Sequence, residues 1–362
     1  MKAIAVHPAA RETGFASIPE PELSSRTSIK IRILEVGVCA TDREISRGIF
    51  GTPPEGYDFL VLGHESLGEV VEIGADVTSV QPGDLVVAMV RRPCGVAGCV
   101  PCEARRQDFC GTGTYAERGI QHLHGFMTSF VVEEEAQVVK VPPHLREFAV
   151  LAEPLTVAEK ALQQVEAVQS RLPWHGSRTA LVLGAGPVGL LGAMALRIRG
   201  YRTAVFSREP ADDPKASICA AAGIEYISVG DVRDGAEVAT ALGNIDLVYE
   251  AAGSSAFAFD MLRHLGTNGV FVLAGAAGHA GPVPVDTDRL MWNMVLKNQV
   301  LLGTVNAGRQ AFTDAIADLA TFDREFPQAV RRLISRRYDM ADHAQLLEGS
   351  AGGIKNVIAI ER

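Results

Sequence analysis

Four side chains with the chemistry of metal ligands occur in separate segments of the first 160 residues. Cys39 lies in G-V-C-A-T-D, His64 and Glu65 lie in V-L-G-H-E-S, and Glu153 lies in L-A-E-P-L. A thiolate, an imidazole and carboxylates together suit Zn²⁺. A lone cysteine is usually a buried apolar residue, so the prediction depends on all four coming together. Zinc held there would act as a Lewis acid that makes proton loss from a bound hydroxyl feasible near neutral pH.

Four further cysteines are crowded between positions 94 and 110. Cys94, Cys99, Cys102 and Cys110 have the spacing C-x4-C-x2-C-x7-C. In a cytosolic chain of this length, such crowding indicates metal binding before disulfides. The alternatives are a reduced loop without metal, or a disulfide formed on purification. Cys219 lies alone in an alanine-rich helical stretch and is predicted to be a core residue.

A glycine-rich turn follows a short apolar run in the middle of the chain. In L-V-L-G-A-G-P-V-G, Gly184, Gly186 and Gly189 form a G-x-G-x-x-G array between a predicted strand and a predicted helix. The first glycine permits the tight turn, the second lets the backbone approach a pyrophosphate, and the third lets the helix pack closely. The pyrophosphate would lie at the helix N-terminus. A tight turn without a ligand is the alternative.

The residues after the next predicted strand bear on the choice of dinucleotide. A site that prefers NAD usually carries Asp or Glu about 20 residues beyond the glycines. Here the chain has Ser207, Arg208 and Glu209. Ser207 can donate to a 2′-phosphate, and Arg208 can pair with the phosphate or stack on the adenine, so NADP is favoured. The alternative is NAD, with Glu209 bent back to the ribose.

Two kinds of structure must position these groups. The first 150 residues contain short apolar runs separated by turn signals, which is typical of an irregular β-rich domain. After Trp174, apolar runs alternate with helical segments, which predicts a parallel, doubly wound sheet. The chain then returns to mixed structure, with predicted helices at 310–322 and 327–335 and a closing strand at 356–360. This order suggests a nucleotide domain inserted into a split first domain.

Length, charge and composition narrow the class of protein. The 362 residues are too many for a typical single core, and 47% hydrophobic with 21% charged residues is ordinary for a globular protein. The net charge of −9 argues against nucleic acid or an anionic membrane as a partner. The N-terminus lacks a signal-peptide pattern, and no apolar run reaches the ~18 residues of a membrane span. We therefore expect a cytoplasmic enzyme.

Together these motifs resemble the zinc-containing medium-chain alcohol dehydrogenases. The C-A-T-D, G-H-E and G-A-G-P-V-G segments and the clustered cysteines carry the resemblance, which covers nearly the whole chain. Longer stretches are similar to the microbial glucose 1-dehydrogenases, including V-R-R-P at 90–93, E-R-G-I at 117–120 and G-T-V-N at 303–306. The resemblance implies an α/β protein. A β-rich, GroES-like catalytic domain would comprise 1–172 and 306–362, and a Rossmann domain with a doubly wound parallel sheet would comprise 173–305.

The resemblance implies a role for each residue of the first metal site. Cys39 and His64 would be zinc ligands. Glu153 would be a third ligand, or would reach the zinc through water and contact the sugar. Glu65 would bind the zinc directly or through water, depending on the stage of the cycle. Asp42 would fix the orientation of His64.

The resemblance also implies contacts with the substrate and the cofactor. Thr41 would hydrogen-bond the reacting hydroxyl or the nicotinamide ribose, and Glu117 would contact the sugar. Asn306 would lie near both the nicotinamide and the sugar. Beyond the glycines, Ser207 and Arg208, the cofactor contacts implied are Pro187, Val188, Ala252 and Leu273.

The four-cysteine segment resembles the structural zinc lobe of the same superfamily. Four thiolates in one loop make a closed tetrahedral site. The usual lobe has two residues in its first gap, whereas four residues separate Cys94 from Cys99. A longer loop that contains glycine can still close around the metal. We therefore expect one structural zinc in addition to the catalytic one.

The expected reaction transfers a hydride from C1 of glucose or a related aldose to NADP and gives the lactone. The alternative is a polyol, cyclitol or other secondary-alcohol dehydrogenase of the same superfamily. A nucleotide-binding relative without catalysis would have a broken set of zinc ligands, and here the set is complete. Relatives assemble by joining their central sheets. We therefore expect a homodimer or homotetramer that acts on a small sugar or polyol.

Overall fold

The fold comprises two compact units in a computed structural model. The residues that the structure describes are 1–174, 176, 178–276, 281–349 and 351–360. The first unit comprises Met1–Thr156, Asn306–Ala320 and Leu333–Arg362, and the second comprises Val157–Val305 and Thr321–Arg332. The domain boundaries expected from the sequence, at 172/173 and 305/306, stay a prediction.

Strands occur in both units, and most of those in the first unit are short. In chain order, the strands of the described residues are β1 (Lys2–His7), β2 (Glu12–Ser17), β3 (Ser28–Val38), β4 (Leu60–Val61), β5 (Glu65–Ile73), β6 (Leu85–Ala88), β7 (Glu117–Arg118), β8 (His122–Leu123), β9 (Phe130–Glu134), β10 (Val138–Val141), β11 (Arg178–Leu183), β12 (Tyr201–Ser207), β13 (Glu225–Ser228), β14 (Leu247–Glu250), β15 (Val270–Leu273), β16 (Val300–Gly303), β17 (Ile334–Asp339) and β18 (Lys355–Ala359).

The helices connect these strands and also link the two units along the chain. In chain order, the α-helices of the described residues are α1 (Ala40–Ser46), α2 (Val100–Glu103), α3 (Ala152–Gln169), α4 (Pro187–Ile198), α5 (Pro214–Ala221), α6 (Gly235–Leu242), α7 (Ser255–Leu262), α8 (Thr287–Leu296), α9 (Arg309–Glu325), α10 (Pro327–Leu333) and α11 (His343–Leu347). Short 3₁₀ helices cover Gln107–Phe109, Glu135–Gln137, Pro143–Leu145, Ala149–Leu151, Val229–Asp231 and Met340–Asp342.

The largest sheet of the first unit is built around the long strand β3. Its strand order is β10-β6-β5-β3-β18-β17, and β9 also pairs with β3. In β3, Ile29, Ile31 and Ile33 are buried, whereas Lys30 and Arg32 between them are more exposed. This alternation follows from the two-residue period of a strand and turns one face of the sheet toward the core. Smaller sheets have the orders β2-β1-β4 and β7-β8.

The second unit contains a parallel sheet with the order β13-β12-β11-β14-β15-β16. Helices alternate with its strands, and Leu181, Val248 and Phe271 from three of the strands lie in one buried cluster. The strand order reverses at β11, and ligands of such sheets bind beside the carboxyl ends of the strands at that point. The predicted α/β fold class, with a β-rich domain and a Rossmann domain, is confirmed.

One helix expected from the sequence ends earlier in the structure. The segment 327–335 was predicted as a single helix, but α10 ends at Leu333 and β17 begins at Ile334. Ile334 pairs in parallel with Lys355 of β18, so sheet pairing over a long sequence separation outweighs the local helical pattern. Among the described helices, none has the length and apolar character required to cross a membrane.

Candidate functional site

Cys39, His64 and Glu65 lie together in the first unit. One ligand atom from each lies within 4.8 Å of the others. The Sγ atom of Cys39 is 3.0 Å from Nε2 of His64. His64 and Glu65 are buried, and Cys39 is half-buried. The cluster therefore offers sulfur, nitrogen and oxygen donors at one partly accessible point, which is the donor set that zinc favours.

Asp42 connects the two segments that carry Cys39 and His64. Cys39 caps α1: its N–H donates to Oδ2 of Asp42 (2.9 Å), and its Sγ accepts from the N–H of Thr41 (3.2 Å). Oδ1 of the fully buried Asp42 accepts from the N–H of Gly63 (3.2 Å) and lies 3.5 Å from Nδ1 of His64. Gly63 has a φ of 91°, which glycine adopts without strain. The Asp42 carboxylate therefore fixes the backbone of Cys39 and of Gly63, and it lies beside the ring of His64.

Glu65 is paired with a buried lysine that the sequence reasoning missed. Nζ of Lys355 donates to both carboxylate oxygens, at 2.6 and 2.7 Å, and Lys355 is only 2% exposed. Burial opposes the charge of Lys355, but Glu65 and Cys39 raise its pKa above the usual value. A lone lysine near the end of the sequence carries no signal of this role, because its partner is 290 residues away.

Gly37 provides the space that the Glu65 carboxylate occupies. The two residues pair across β3 and β5, and a Cβ at Gly37 would lie 2.0 Å from Oε2 of Glu65. We expect Gly37→Ala to push Glu65 away from Lys355, to destabilise the protein by about 1–3 kcal/mol and to lower turnover. The matched control is Gly14→Ala in β2, where an added Cβ meets no atom within 4 Å. Equal unfolding midpoints and equal turnover rates for the two variants would contradict this account.

Glu153 lies in the first turn of α3, is half-buried, and is not among the three residues whose ligand atoms lie within 4.8 Å of one another. Burial raises the pKa of its carboxyl to about 7; nearby Glu65 also raises it, whereas His64 lowers it. Thr41 lies in the first turn of α1 and is also half-buried. The structure therefore brings the predicted residues Thr41 and Glu153 to the same part of the unit as the three ligand candidates.

Glu117 and Asn306, both predicted to contact a sugar, are hydrogen-bonded to each other. Oε1 of Glu117 accepts from Nδ2 of Asn306 (2.8 Å) and from Nε of Arg91 (3.0 Å). Arg91 is buried, and its guanidinium lies 3.6 Å from the centroid of the Tyr115 ring. Oδ1 of Asn306 accepts from the N–H of Ala307 (2.8 Å), so its amide is fixed at both ends. The sequence did not predict that Arg91 positions Glu117.

The four clustered cysteines converge as the spacing predicted. The Sγ atoms of Cys94, Cys99, Cys102 and Cys110 lie within 4.8 Å of one another, and those of Cys99 and Cys110 are 3.9 Å apart. A zinc tetrahedron with Zn–S bonds of about 2.3 Å has sulfur–sulfur edges of about 3.8 Å, whereas a disulfide needs about 2.05 Å. The geometry therefore fits four thiolates around one zinc. Cys219 is fully buried, as expected for a core residue.

The glycine turn of the second unit connects β11 to α4. Gly184 has a φ of 100°, and Gly186 is the N-cap of α4. A Cβ at Gly189 would lie 2.0 Å from the carbonyl oxygen of Gly184, so the helix packs too close to the turn for any side chain there. A Cβ at Gly186 would meet no atom within 4 Å, which leaves the helix N-terminus open to a ligand.

A cavity of about 470 Å³ lies beside this turn. Of the residues predicted to contact the cofactor, Gly184, Gly186, Ser207, Arg208 and Ala252 line it. The other predicted contacts do not line it. Pro187, Val188 and Gly189 form the first turn of α4, Leu273 ends β15, and Asn306 belongs to the first unit.

Two protein families together match most of the chain. Residues 25–143 match the family Alcohol dehydrogenase GroES-like domain, and residues 146–360 match the family Glucose dehydrogenase C-terminus. Glucose 1-dehydrogenase of Methanocella arvoryzae is 37% identical over 99% of both chains. Glucose 1-dehydrogenase of Thermoproteus tenax is 38% identical over the full length of both.

Solved structures are similar over the same span. Haloferax mediterranei glucose dehydrogenase, in complex with NADP, Zn and gluconolactone, superposes with a TM-score of 0.89 at 32% identity, with full coverage of both chains. The match therefore covers the β-rich unit, the parallel sheet and every residue of the candidate sites. The chain belongs to the glucose dehydrogenase family, within the medium-chain alcohol dehydrogenase superfamily.

Proposed function

We propose that the chain is a zinc-dependent dehydrogenase that transfers a hydride from C1 of glucose or a related aldose to NADP and yields the lactone. The observation that carries the proposal is the partly accessible cluster of Cys39, His64 and Glu65. It occurs in a chain that matches glucose 1-dehydrogenases from end to end. The complete donor set favours catalysis over a role in nucleotide binding alone.

Cys39 and His64, with Glu65 or Glu153, would hold the catalytic zinc, and the four clustered cysteines would hold the structural one. A zinc ion in the first site supplies a Lewis acid that favours proton loss from the anomeric hydroxyl. Asp42, 3.5 Å from Nδ1 of His64, would keep the ring oriented so that Nε2 faces Cys39. Lys355 neutralises Glu65 in its buried position, which leaves Glu153 as the more accessible carboxylate.

Glu117, Asn306 and Thr41 would select a polyhydroxylated substrate. A sugar needs acceptors and donors for hydroxyls next to the reacting carbon, which a simple alkyl alcohol does not. Arg91 and Asn306 fix the Glu117 carboxylate in one orientation, so hydroxyl recognition there requires little reorganisation. Thr41 would hydrogen-bond the reacting hydroxyl or the nicotinamide ribose.

NADP would bind along the carboxyl edge of the parallel sheet. Its pyrophosphate would lie at the start of α4, against Gly184, Gly186, Pro187, Val188 and Gly189. Ser207 and Arg208 would face the 2′-phosphate, and Ala252, Leu273 and Asn306 would contact the nicotinamide half. The nicotinamide accepts the hydride, and the protein's contribution is to hold that ring close to C1.

A homodimer would form through the open edge of this sheet. β16 ends the sheet order, and α8, which precedes it in the chain, exposes Met291, Trp292, Val295 and Leu296, each more than 60% accessible. An exposed apolar helix face and a strand at the end of a sheet each favour self-association. Two copies related by a twofold axis could join their β16 strands. Sedimentation of the purified chain should give a dimer or tetramer, and Trp292→Glu should shift it toward monomer.

A substrate panel tests the proposal. Aldoses, polyols and simple alcohols are supplied with NADP or NAD, and reduced cofactor is followed by its absorbance. We expect turnover with glucose or a related aldose and NADP, with lactone as product. Turnover restricted to polyols or cyclitols would favour the alternative dehydrogenase. A lack of turnover with any polyhydroxylated compound would refute the sugar specificity.

Removing the charge of Glu153 should impair the reaction more than the fold. We expect Glu153→Gln to lower kcat/KM for the sugar roughly 10- to 100-fold, as loss of a group next to the metal does. The unfolding midpoint should change little, because glutamine fills the same volume and relieves repulsion with Glu65. The control is Glu166→Gln, an exposed position on the same helix. Equal losses of stability and activity in Glu153→Gln would count against this role.

A further inference from the structure

The nucleotide cavity contains an ion pair that the proposed function does not use. Nζ of Lys215 lies 2.5 Å from Oε1 of Glu209, and the hydroxyl of Ser207 donates to Oε2 of the same carboxylate. All three residues line the cavity together with Gly184 and Gly186. The cluster therefore lies on the wall of the cavity that the glycine turn also forms.

Lys215 is better placed to bind an anion than the exposed arginine beside it. Its side chain is 19% exposed, whereas that of Arg208 is 91% exposed. Lys215 lies in the first turn of α5, and its own N–H donates to Oδ1 of the N-cap residue Asp213 (2.9 Å), which fixes the position of its backbone. A partly desolvated and positioned ammonium interacts with an anion more strongly than a mobile guanidinium in bulk solvent does.

Glu209 accepts hydrogen bonds from Lys215 and Ser207, the two donors that a 2′-phosphate would need. Burial opposes its charge, but hydrogen bonds from Lys215 and Ser207 lower its pKa to about 2, so the carboxylate is ionised at neutral pH. Its backbone carbonyl accepts from the hydroxyl of Tyr226 (3.1 Å), which ties the loop to β13. A carboxylate in this position accepts hydrogen bonds from a ribose hydroxyl but repels a phosphate, which carries close to two negative charges at neutral pH.

We propose that Lys215 belongs to the 2′-phosphate site, and that Glu209 competes with the phosphate for Lys215 and Ser207. The balance between these two side chains then sets the preference for NADP over NAD. When the 2′-phosphate binds, it replaces the Glu209 carboxylate as the acceptor for Ser207 and Lys215. When NAD binds, Glu209 keeps both donors. The inference rests on the proposed binding of a dinucleotide in this cavity.

Calorimetric titration of the full chain with 2′,5′-ADP and 5′-AMP isolates the phosphate contribution, because these ligands differ only in the 2′-phosphate. We expect Lys215→Met to weaken 2′,5′-ADP binding about 10-fold or more and to change 5′-AMP binding by less than about 2-fold. Glu209→Gln should strengthen 2′,5′-ADP binding about 10-fold, again with little effect on 5′-AMP. Lys215→Arg should keep most of the phosphate contribution. Lys297→Met, outside the cavity lining, is the matched control.

The outcomes separate this inference from the proposed function. If the unmodified chain prefers 2′,5′-ADP and Lys215→Met retains that preference, the inference is overturned while NADP use stands. An equal loss for both ligands in Lys215→Met would mean a structural role and would also overturn it. If the unmodified chain binds both ligands equally, the NADP preference fails. A gain of phosphate affinity in Glu209→Gln would then support the competition, and the absence of a gain would overturn it.

Discussion

Cys39→Ser is expected to remove the catalytic zinc and to lower kcat for the sugar about 10³-fold. The Cys39 thiolate is the softest donor of its cluster, and its Sγ lies 3.0 Å from Nε2 of His64. A Lewis acid lowers the barrier for removing the hydroxyl proton by several kcal/mol, and roughly each 1.4 kcal/mol is a factor of ten in rate. Zinc content measured by atomic absorption should fall from two ions per chain to one.

The fold should survive this change. Serine keeps an oxygen that can accept from the N–H of Thr41, so the cap of α1 is retained. The unfolding midpoint should therefore stay within a few degrees of that of the unmodified chain. Cys219→Ala, at a buried cysteine outside both clusters, should keep both zinc ions and full turnover. Normal zinc content and normal kcat in Cys39→Ser would refute the catalytic assignment.

Cys102→Ser is expected to remove the other zinc and to lower the unfolding midpoint by roughly 10 °C. The segment from Cys94 to Cys110 is mostly loop, with the four-residue helix α2 and one short 3₁₀ helix. Several of its side chains are exposed, including Val96, Val100 and Phe109. With so little apolar burial, metal binding is a direct part of the folding free energy of this segment. Differential scanning calorimetry and limited proteolysis would both report the loss.

A chelator should also lower the unfolding midpoint. Excess chelator strong enough to extract both ions should lower the midpoint of the unmodified chain to that of Cys102→Ser or below. Cys219→Ala again provides the cysteine control. An unchanged midpoint and protease resistance in Cys102→Ser would show that the four thiols serve no structural metal, and the reduced loop would then be the better interpretation.

Much of the fold follows from local pattern. The segment predicted as the first strand of the parallel sheet matches β11 (Arg178–Leu183), because its apolar run is continuous and is bounded by the glycine turn. The glycine array also predicted that α4 packs closely against the turn, and the structure leaves no room for a Cβ at Gly189. The ends of helices and strands were less predictable where a strand pairs with a segment that is distant in the sequence. Ile334 joins a strand because β18 lies beside it, which no nearby residue signals.

In the candidate sites too, ligand residues could be predicted from motifs, whereas the residues that support them could not. The first metal group was predicted as Cys39, His64, Glu65 and Glu153, and the structure brings the ligand atoms of the first three together. The four clustered cysteines also converge. Their supporting contacts could not be predicted. Lys355 reaches Glu65 across 290 residues, and Arg91 reaches Glu117 through a fold that places both beside Asn306. Isolated charged residues normally indicate solvent-exposed positions, so no sequence pattern marks them.

Arg91 also couples the cysteine segment to the Glu117 carboxylate, because it is hydrogen-bonded to both. Nη1 of Arg91 donates to the carbonyl oxygen of Asp108 (3.4 Å), two residues before Cys110, while its Nε holds Glu117. Loosening of the cysteine segment would therefore reduce the order of Glu117, the residue proposed to contact the sugar. Such coupling is reciprocal for binding free energies: a sugar that immobilises Glu117 would strengthen the binding of zinc by four thiolates that it does not touch. Substrate would thus protect the enzyme's structural metal.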